Sequence, residues 1–472
     1  MNKYIIYIFT IILAASLQSC NGFLDITPDG QIKRTELLES EEGYESALYG
    51  AYAQLRSSSL YGQEMMYNTL ECLAQEFDCY GNNTVTALNE YDWTYSGVET
   101  ILTNIWTAMY ANISNVNSVL NSDLMENPTE FPYTIYKGEA LALRAFMHFD
   151  LVRLFRQQYT LHPEAQGIPY VTRFSLEITD FESEKANYDH IIADLLEAER
   201  LLADEVNHKD ETDFMRDRQI HINYYAVQAL LARVYLTMGD KENALTYARK
   251  VINGQSTYTL KEKSEVLGDM AGVLSRKECL FGVYYANWYD QVVSKLYQTV
   301  SFSSLNPRDD VETIFNDDAY RSYATFGTIE QGGESVLRFT KFIDTYIQQG
   351  NTAARPSDMI QGINLIRLPE MYYIAAECLL ESDYSQAVDL INTVLNHRGV
   401  QTLDKNAEQK ELTIDYLCKE RRKEFFGEGQ TYFNCKRLNR SILSVDGSIT
   451  YNPSSTDMYP SLDVNDEIDY RY

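Results

Sequence analysis

Residues 223–254 read NYYAVQALLARVYLTMGDKENALTYARKVING. Ala232, Tyr235, Ala244, Ala248 and Val251 stand at offsets 0, 3, 12, 16 and 19, the spacing of packing residues in a tetratricopeptide helix pair. Small side chains at those offsets let two antiparallel helices approach closely, and Gly239-Asp240 interrupts the run where the turn belongs. A second copy runs from Leu368 to Arg398, with Ala375, Cys378, Ala387, Ile391 and Val394 at the same offsets.

Two looser pairs extend the pattern. One joins Lys137–Tyr159 to Tyr188–Leu202, the other Tyr44–Ser57 to Ile101–Leu120. The irregular separation between copies argues against a continuous solenoid. It predicts a mainly α protein, an irregular tetratricopeptide-like helix-pair scaffold with long loop and short-strand insertions. The insertions are Ser58–Thr100 and Gln255–Gly362, the second with strands over Cys279–Tyr285 and Ser335–Phe342. Function is expected there, because loops on a rigid scaffold carry it. The division is therefore 1–19, a signal peptide; 20–254, an N-terminal helical part containing the 58–100 insertion; 255–362, a ligand-binding insertion; and 363–472, a C-terminal helical part with its tail.

Composition narrows the function. The 472 residues are 45% hydrophobic and 23% charged, ordinary for a folded soluble protein. The net charge of −28 argues against nucleic acid, whose recognition needs a basic footprint, and against docking on anionic lipid through a polybasic face. With 37 Tyr, 19 Phe and 3 Trp, the chain is rich in amphipathic rings suited to wet, adhesive surfaces.

The N-terminus, MNKYIIYIFTIILAASLQSC, has Lys3, then an apolar run from Ile5 to Ala15 too short to span a bilayer comfortably, then Cys20. Leu17-Gln18-Ser19-Cys20 resembles a bacterial lipobox, so Cys20 is expected to become the lipidated first residue of an exported protein. Several acyl chains, at about 0.8 kcal/mol per buried methylene, anchor a protein durably. Asn21 rather than Asp after Cys20 favours delivery to the outer membrane. The remaining cysteines, Cys72, Cys79, Cys279, Cys378, Cys418 and Cys435, form no CxxC pattern and read mainly as small buried hydrophobes.

Several segments, in order along nearly the whole chain, resemble the SusD/RagB-like outer-membrane nutrient-binding lipoproteins of Bacteroidetes. They are Cys20-Asn21-Gly22-Phe23-Leu24-Asp25 with Pro28; Ala140-Leu141-Ala142-Leu143-Arg144-Ala145 with Phe149-Asp150-Leu151-Val152-Arg153-Leu154-Phe155; Gly167-Ile168-Pro169-Tyr170; and Glu420-Arg421-Arg422-Lys423-Glu424-Phe425-Phe426-Gly427-Glu428-Gly429. The resemblance implies a SusD-like fold facing the cell surface and a SusC-like TonB-dependent transporter as partner. It implies an oligosaccharide or polysaccharide ligand, with oligopeptide uptake of the RagB kind, or service as a transporter lid, as the alternative. Asn434-Cys435 departs from the family's Asp-Leu and puts a local ion pair in doubt.

No HExxH, Walker A or GxSxG pattern is present, and the six histidines include no i,i+4 pair, so neither a catalytic nor a metal site is expected and no cofactor is implied. His148 reads as a packed, hydrogen-bonded histidine. Asp463–Glu467 faintly resembles a calcium loop but lacks its glycine and reads as a solvated acidic tail. Binding is better supported: sugar rings stack on aromatics and their hydroxyls pair with amides. Tyr284-Tyr285-Ala286-Asn287-Trp288-Tyr289 supplies both, with Trp288 expected outside the core beside Tyr289. Tyr80, Asn82 and Asn83 are weaker candidates on the other insertion, and Trp93 is a further one; Trp106 reads as core.

Overall fold

The computed structural model describes residues 34–79, 81–254, 258–267, 274–275, 277–297, 304–350, 359–453 and 458. Cys20, Tyr80 and the 463–467 segment lie outside them. The chain divides into compact units at Ser46. Of the first unit the structure describes a short helix, Arg34–Leu37, and the beginning of α1, Glu41–Leu55. All that follows concerns the second unit.

The longer helices there are α2 (Ser96–Leu120), α3 (Tyr133–Phe155), α4 (Glu184–Leu202), α5 (Tyr224–Met238), α6 (Lys241–Asn253), α7 (Leu368–Leu379), α8 (Tyr384–Arg398) and α9 (Ile414–Glu424), followed by the short α10 (Thr431–Arg437). From α2 to α8 each helix packs on the next, and α9 lies against α7. The α3–α4 pair predicted from spacing is present; α1 and α2 are linked by the Asn112 amide donating to the Ala51 carbonyl at 3.0 Å. No described helix is long and apolar enough to cross a membrane.

Local chemistry explains both copies of the repeat. The Asn223 side chain caps α5 by accepting from the Ala226 amide, and Asp240 does the same for α6 at Asn243. Gly239, at φ +80°, closes α5 in the left-handed region that a side chain resists. In the second copy Asp383 caps α8 and Gly399, at φ +70°, ends it. Ala232, Ala244, Ala248, Ala375, Ala387, Ile391 and Val394 are all fully buried. Tyr235 stacks on Tyr247 at 5.7 Å.

Strands occur only as antiparallel pairs among the described residues. β1 (Phe77–Asp78) comes from the first insertion, and β2 (Cys279–Tyr284), β3 (Asn306–Pro307), β4 (Phe326–Gln331) and β5 (Glu334–Phe339) from the second; β6 (Gly362–Arg367) leads into α7. β2 pairs with β6, β4 with β5, and β1 with β3, matching Phe77 to Pro307. That last pair joins the two insertions across more than two hundred residues. Phe77, Phe326, Phe339 and Phe426 form an apolar cluster beneath it, with ring centroids 5.3–6.1 Å apart.

The run from Glu420 to Gly429 holds both insertions to the scaffold. Arg422 forms a two-pronged pair with Glu76, and the Gly429 amide donates to Glu71 at 2.6 Å, so both fasten the first insertion. Glu424 pairs with Arg367 at 2.8 Å and Arg398 at 2.9 Å; Arg398 also meets Glu278. Glu420 pairs with Arg321, and Glu428 with Lys341 at 2.6 Å. Apart from the half-buried Arg422, these charged groups are buried, so each charge depends on its partners: removing one member of such a set costs about 3–5 kcal/mol. Where the family pattern has Asp, Asn434 still accepts from Arg437, at 2.7 Å, while Arg437 pairs with Glu377.

Buried polar groups elsewhere are structural. Arg144 grips Asp194 through two hydrogen bonds, and Tyr170 donates to the same carboxylate. His148 lies within α3; its Nδ1 hydrogen donates to the Arg144 carbonyl and its Nε2 accepts from the Val171 amide, and burial pushes its pKa down to about 3. Trp106 is core, edge-on to Phe155 at 5.2 Å.

Candidate functional site

The β2–β6 pair carries the site. Its strands lie too close for side chains at two points: a Cβ on Gly362 would meet the Val283 carbonyl oxygen at 2.3 Å, and one on Gly282 the Ile363 carbonyl oxygen at 2.7 Å. Glycine there lets β2 run to its end at Tyr284, opposite Gly362. The Tyr285 amide then donates to the Gln361 carbonyl, and the chain turns into a short helix, Trp288–Val292, extended by one wide turn, Val293–Tyr297. The Gln361 side chain fixes that turn by accepting from the Tyr289 amide at 3.3 Å.

This turn decides which rings face solvent. Trp288 points inward. It is 2% exposed and its ring meets Phe342 at 5.6 Å, Tyr67 at 5.9 Å and Tyr285 at 6.0 Å. The expectation that Trp288 stands outside the core is therefore corrected: the indole is a floor, gripped by rings from both insertions, and offers no face to a ligand. Its Nε1 hydrogen has no acceptor among the described residues. Tyr284, 46% exposed, and the exposed Asn287 lie above, with Tyr285 and Tyr289 half-buried between them. Partial burial raises the Tyr289 phenol pKa, with Asp290 adding to the effect.

Polar groups line this strip. The Arg56 guanidinium, just beyond the end of α1, lies 5.6 Å from the Tyr285 ring centre and donates to the Tyr284 carbonyl at 3.4 Å. Gln291 reaches Gln63 at 3.5 Å. Half-exposed rings beside planar amides and one guanidinium are the groups that stack on a sugar face and pair with its hydroxyls. Arg56, Gln63, Gln291 and Gln361 carry no signal in the sequence, because only the meeting of distant segments makes them neighbours.

The other candidates lie elsewhere or are already engaged. Asn82 caps the helix Asn83–Asn89, its side-chain oxygen accepting from the Thr84 and Val85 amides at 3.1 and 3.3 Å. The amide expected to meet a ligand thus serves the backbone. Asn83 is exposed on that helix's first turn. Trp93 is half-buried against Tyr91 at 5.9 Å, and Tyr91 packs edge-on to Tyr451 at 4.8 Å, a cluster separate from the strip. No group of three or more His, Cys, Asp or Glu residues among the described residues is arranged to hold a metal.

Family models match the chain in two overlapping parts. One, described as starch-binding and associating with the outer membrane, covers residues 22–236; the other, the SusD family, covers residues 198–470. The chain belongs to the SusD family. Among its SusD-like relatives in Formosa agariphila, SusD-like protein P38 is 23% identical over 93% of this chain and 92% of its own length. SusD-like protein P2 is 26% identical over 60% of this chain, a match spanning 53% of that relative. A SusD superfamily protein of Bacteroides thetaiotaomicron superposes with a TM-score of 0.70 at 23% identity, covering 91% of this chain and 97% of the other. A SusD-like carbohydrate binding protein of Bacteroides vulgatus gives 0.68 at 23% identity, covering 85% and 84%. The last two likenesses establish the SusD fold. Within it, the quoted motifs in α3 and α9 lie in the scaffold and the clamp.

Proposed function

We propose that this SusD-family chain is a cell-surface nutrient-binding lipoprotein. It captures an oligosaccharide or polysaccharide on the Tyr284–Tyr289 strip and delivers it to a SusC-like TonB-dependent outer-membrane transporter, without catalysis. One observation carries the reading. Where the two insertions meet, Tyr284, Tyr285 and Tyr289 stand at the surface beside Arg56, Gln291 and Gln361, supported from below by Trp288. The family described as starch-binding and associating with the outer membrane supports the ligand class and the location. Anchoring is assigned to Cys20, from the lipobox resemblance.

The test is calorimetric titration of the mature protein against a panel of neutral and acidic oligosaccharides and mixed oligopeptides. A saccharide is expected to bind and to remain intact after prolonged incubation. An exposed ring in a stacking contact contributes about 1 kcal/mol or more, so Tyr289→Ala should weaken binding roughly five- to thirtyfold. Peptide binding with no saccharide binding would overturn the ligand class. Unchanged saccharide affinity in both Tyr284→Ala and Tyr289→Ala would move the site, with Trp93 tested next.

A further inference from the structure

Arg338 on β5 is 0% exposed. Its Nη1 donates to the Asn306 side-chain oxygen, its Nη2 reaches the Lys295 carbonyl at 3.5 Å, and its Nε has no acceptor among the described residues. Among the described residues no carboxylate forms an ion pair with it. The contrast within the molecule is sharp: Arg233, Arg321, Arg367 and Arg398, also buried, each hold a glutamate. Acids outnumber bases 68 to 40 in this chain, so a buried arginine without one departs from its own pattern.

Among the described residues no charged side chain answers the Arg338 guanidinium directly: Asp78, opposite Asn306 in the strand pairing, and Lys295 both act on the neighbouring Cys79 thiol instead. The Lys295 ammonium has no ion pair among the described residues. The acid it acts on, Glu64, is already held by Gln63, Asn68 and Thr69. The neighbouring Cys79 thiol is pushed up by burial and stays neutral. An isolated guanidinium taken out of water carries a penalty of several kcal/mol and cannot escape it by losing its proton. Its remaining Nε–H needs an acceptor, and an acceptor with negative charge answers both demands.

We infer that Arg338, Lys295 and Asn306 enclose a binding site for one small anion, halide- or formate-sized. Complete enclosure of Arg338 selects for size. Asn306 sits on β3, opposite Asp78 of β1, and Lys295 lies on the turn that continues the Trp288–Val292 helix. The anion thus fills the junction of the two insertions, next to the segment that carries Tyr289, and its occupancy stiffens that junction.

The experiment is thermal unfolding of the mature chain in sodium bromide, formate, gluconate or glucuronate at equal ionic strength. Binding to the folded state alone raises Tm with ligand concentration; near 0.1 M bromide or formate the rise over gluconate should be about 1–3 °C. Arg338→Met should remove the difference between salts, and Arg338→Lys should keep part of it. Crystals grown in bromide should show an anomalous peak within hydrogen-bond distance of Arg338 Nε. The crystal measurement decides the matter on wild-type protein if Arg338→Met does not fold. Identical Tm values in all salts, a salt difference that survives in Arg338→Met, stabilisation by glucuronate alone, or a bromide crystal without that peak would each overturn the assignment.

Discussion

Replacing Trp288 with Ala separates the structure's account of the strip from the one its sequence invites. The indole is nearly sealed, with three rings within 6.0 Å, so truncation leaves a cavity among Tyr67, Tyr285 and Phe342. Trp→Ala at such sites costs about 3–5 kcal/mol. Unfolding entropy of about 2.1 cal/mol/K per residue, over a chain of 472 residues, gives roughly 1 kcal/mol per degree, so Tm should fall by about 3–5 °C. Trp288→Phe should be far milder. It sacrifices area, but it also removes a buried indole N–H that has no acceptor among the described residues, a group whose desolvation costs about 1–3 kcal/mol. The two terms oppose each other, and Tm should stay within about 2 °C of wild type. Differential scanning calorimetry measures both variants, and titration with the ligand follows. If Trp288→Ala melts with the wild type yet loses affinity, the ring is at the surface and the inward assignment is wrong.

Two further outcomes follow from named groups. Burial, then Glu76, pushes the Glu71 carboxyl up to about 8. Its contribution to stability is fully present below the ordinary carboxylate range near 4.5 and is lost as pH rises through about 8. Glu71→Gln should therefore flatten the decline in stability between those pH values, measured by chemical denaturation, whereas an unchanged slope would remove Glu71 as its source. Cys20→Ser, expressed in a host that lipidates exported proteins, should shift the protein from the membrane to the soluble fraction; retention in the absence of any transporter would refute lipid anchoring.

The helix pairs were legible because their signal is local. Ala232, Ala244 and Ala248 pack where their offsets place them, and Asn223, Gly239 and Asp240 mark the ends with their own side chains or conformations. Two strands, Cys279–Tyr284 and Glu334–Phe339, were legible to within a few residues for the same reason, whereas β1, β3, β4 and β6 were not read from the sequence. The strip was legible only in composition. YYANWY announces rings and amides, but which ring turns inward depends on the Gln361 contact to the Tyr289 amide, seventy-two positions away. Burial of the 420–429 charges was not legible at all. On its own the run looks like the polar face of a helix, and its partners Glu76, Arg321, Arg367 and Arg398 come from every part of the chain.

That division has a mechanical consequence. The clamp around Glu424 spends its charges completely, each guanidinium meeting a carboxylate, so it is stiff and resists change. The strip's charge is not spent: among the described residues Arg56 meets only a carbonyl at 3.4 Å and a ring face. A guanidinium in that state can pair with a hydroxyl, a ring oxygen or a carboxylate without first breaking an ion pair. Rigidity below and unsatisfied hydrogen-bonding capacity above are what a binding surface requires, because ordering costs are met on folding rather than on association. Ligand selectivity should accordingly respond to changes at Arg56, Tyr284, Tyr285 and Tyr289. Changes at Glu424 or Arg367 should instead reduce binding of every ligand together, by loosening the base on which the strip stands.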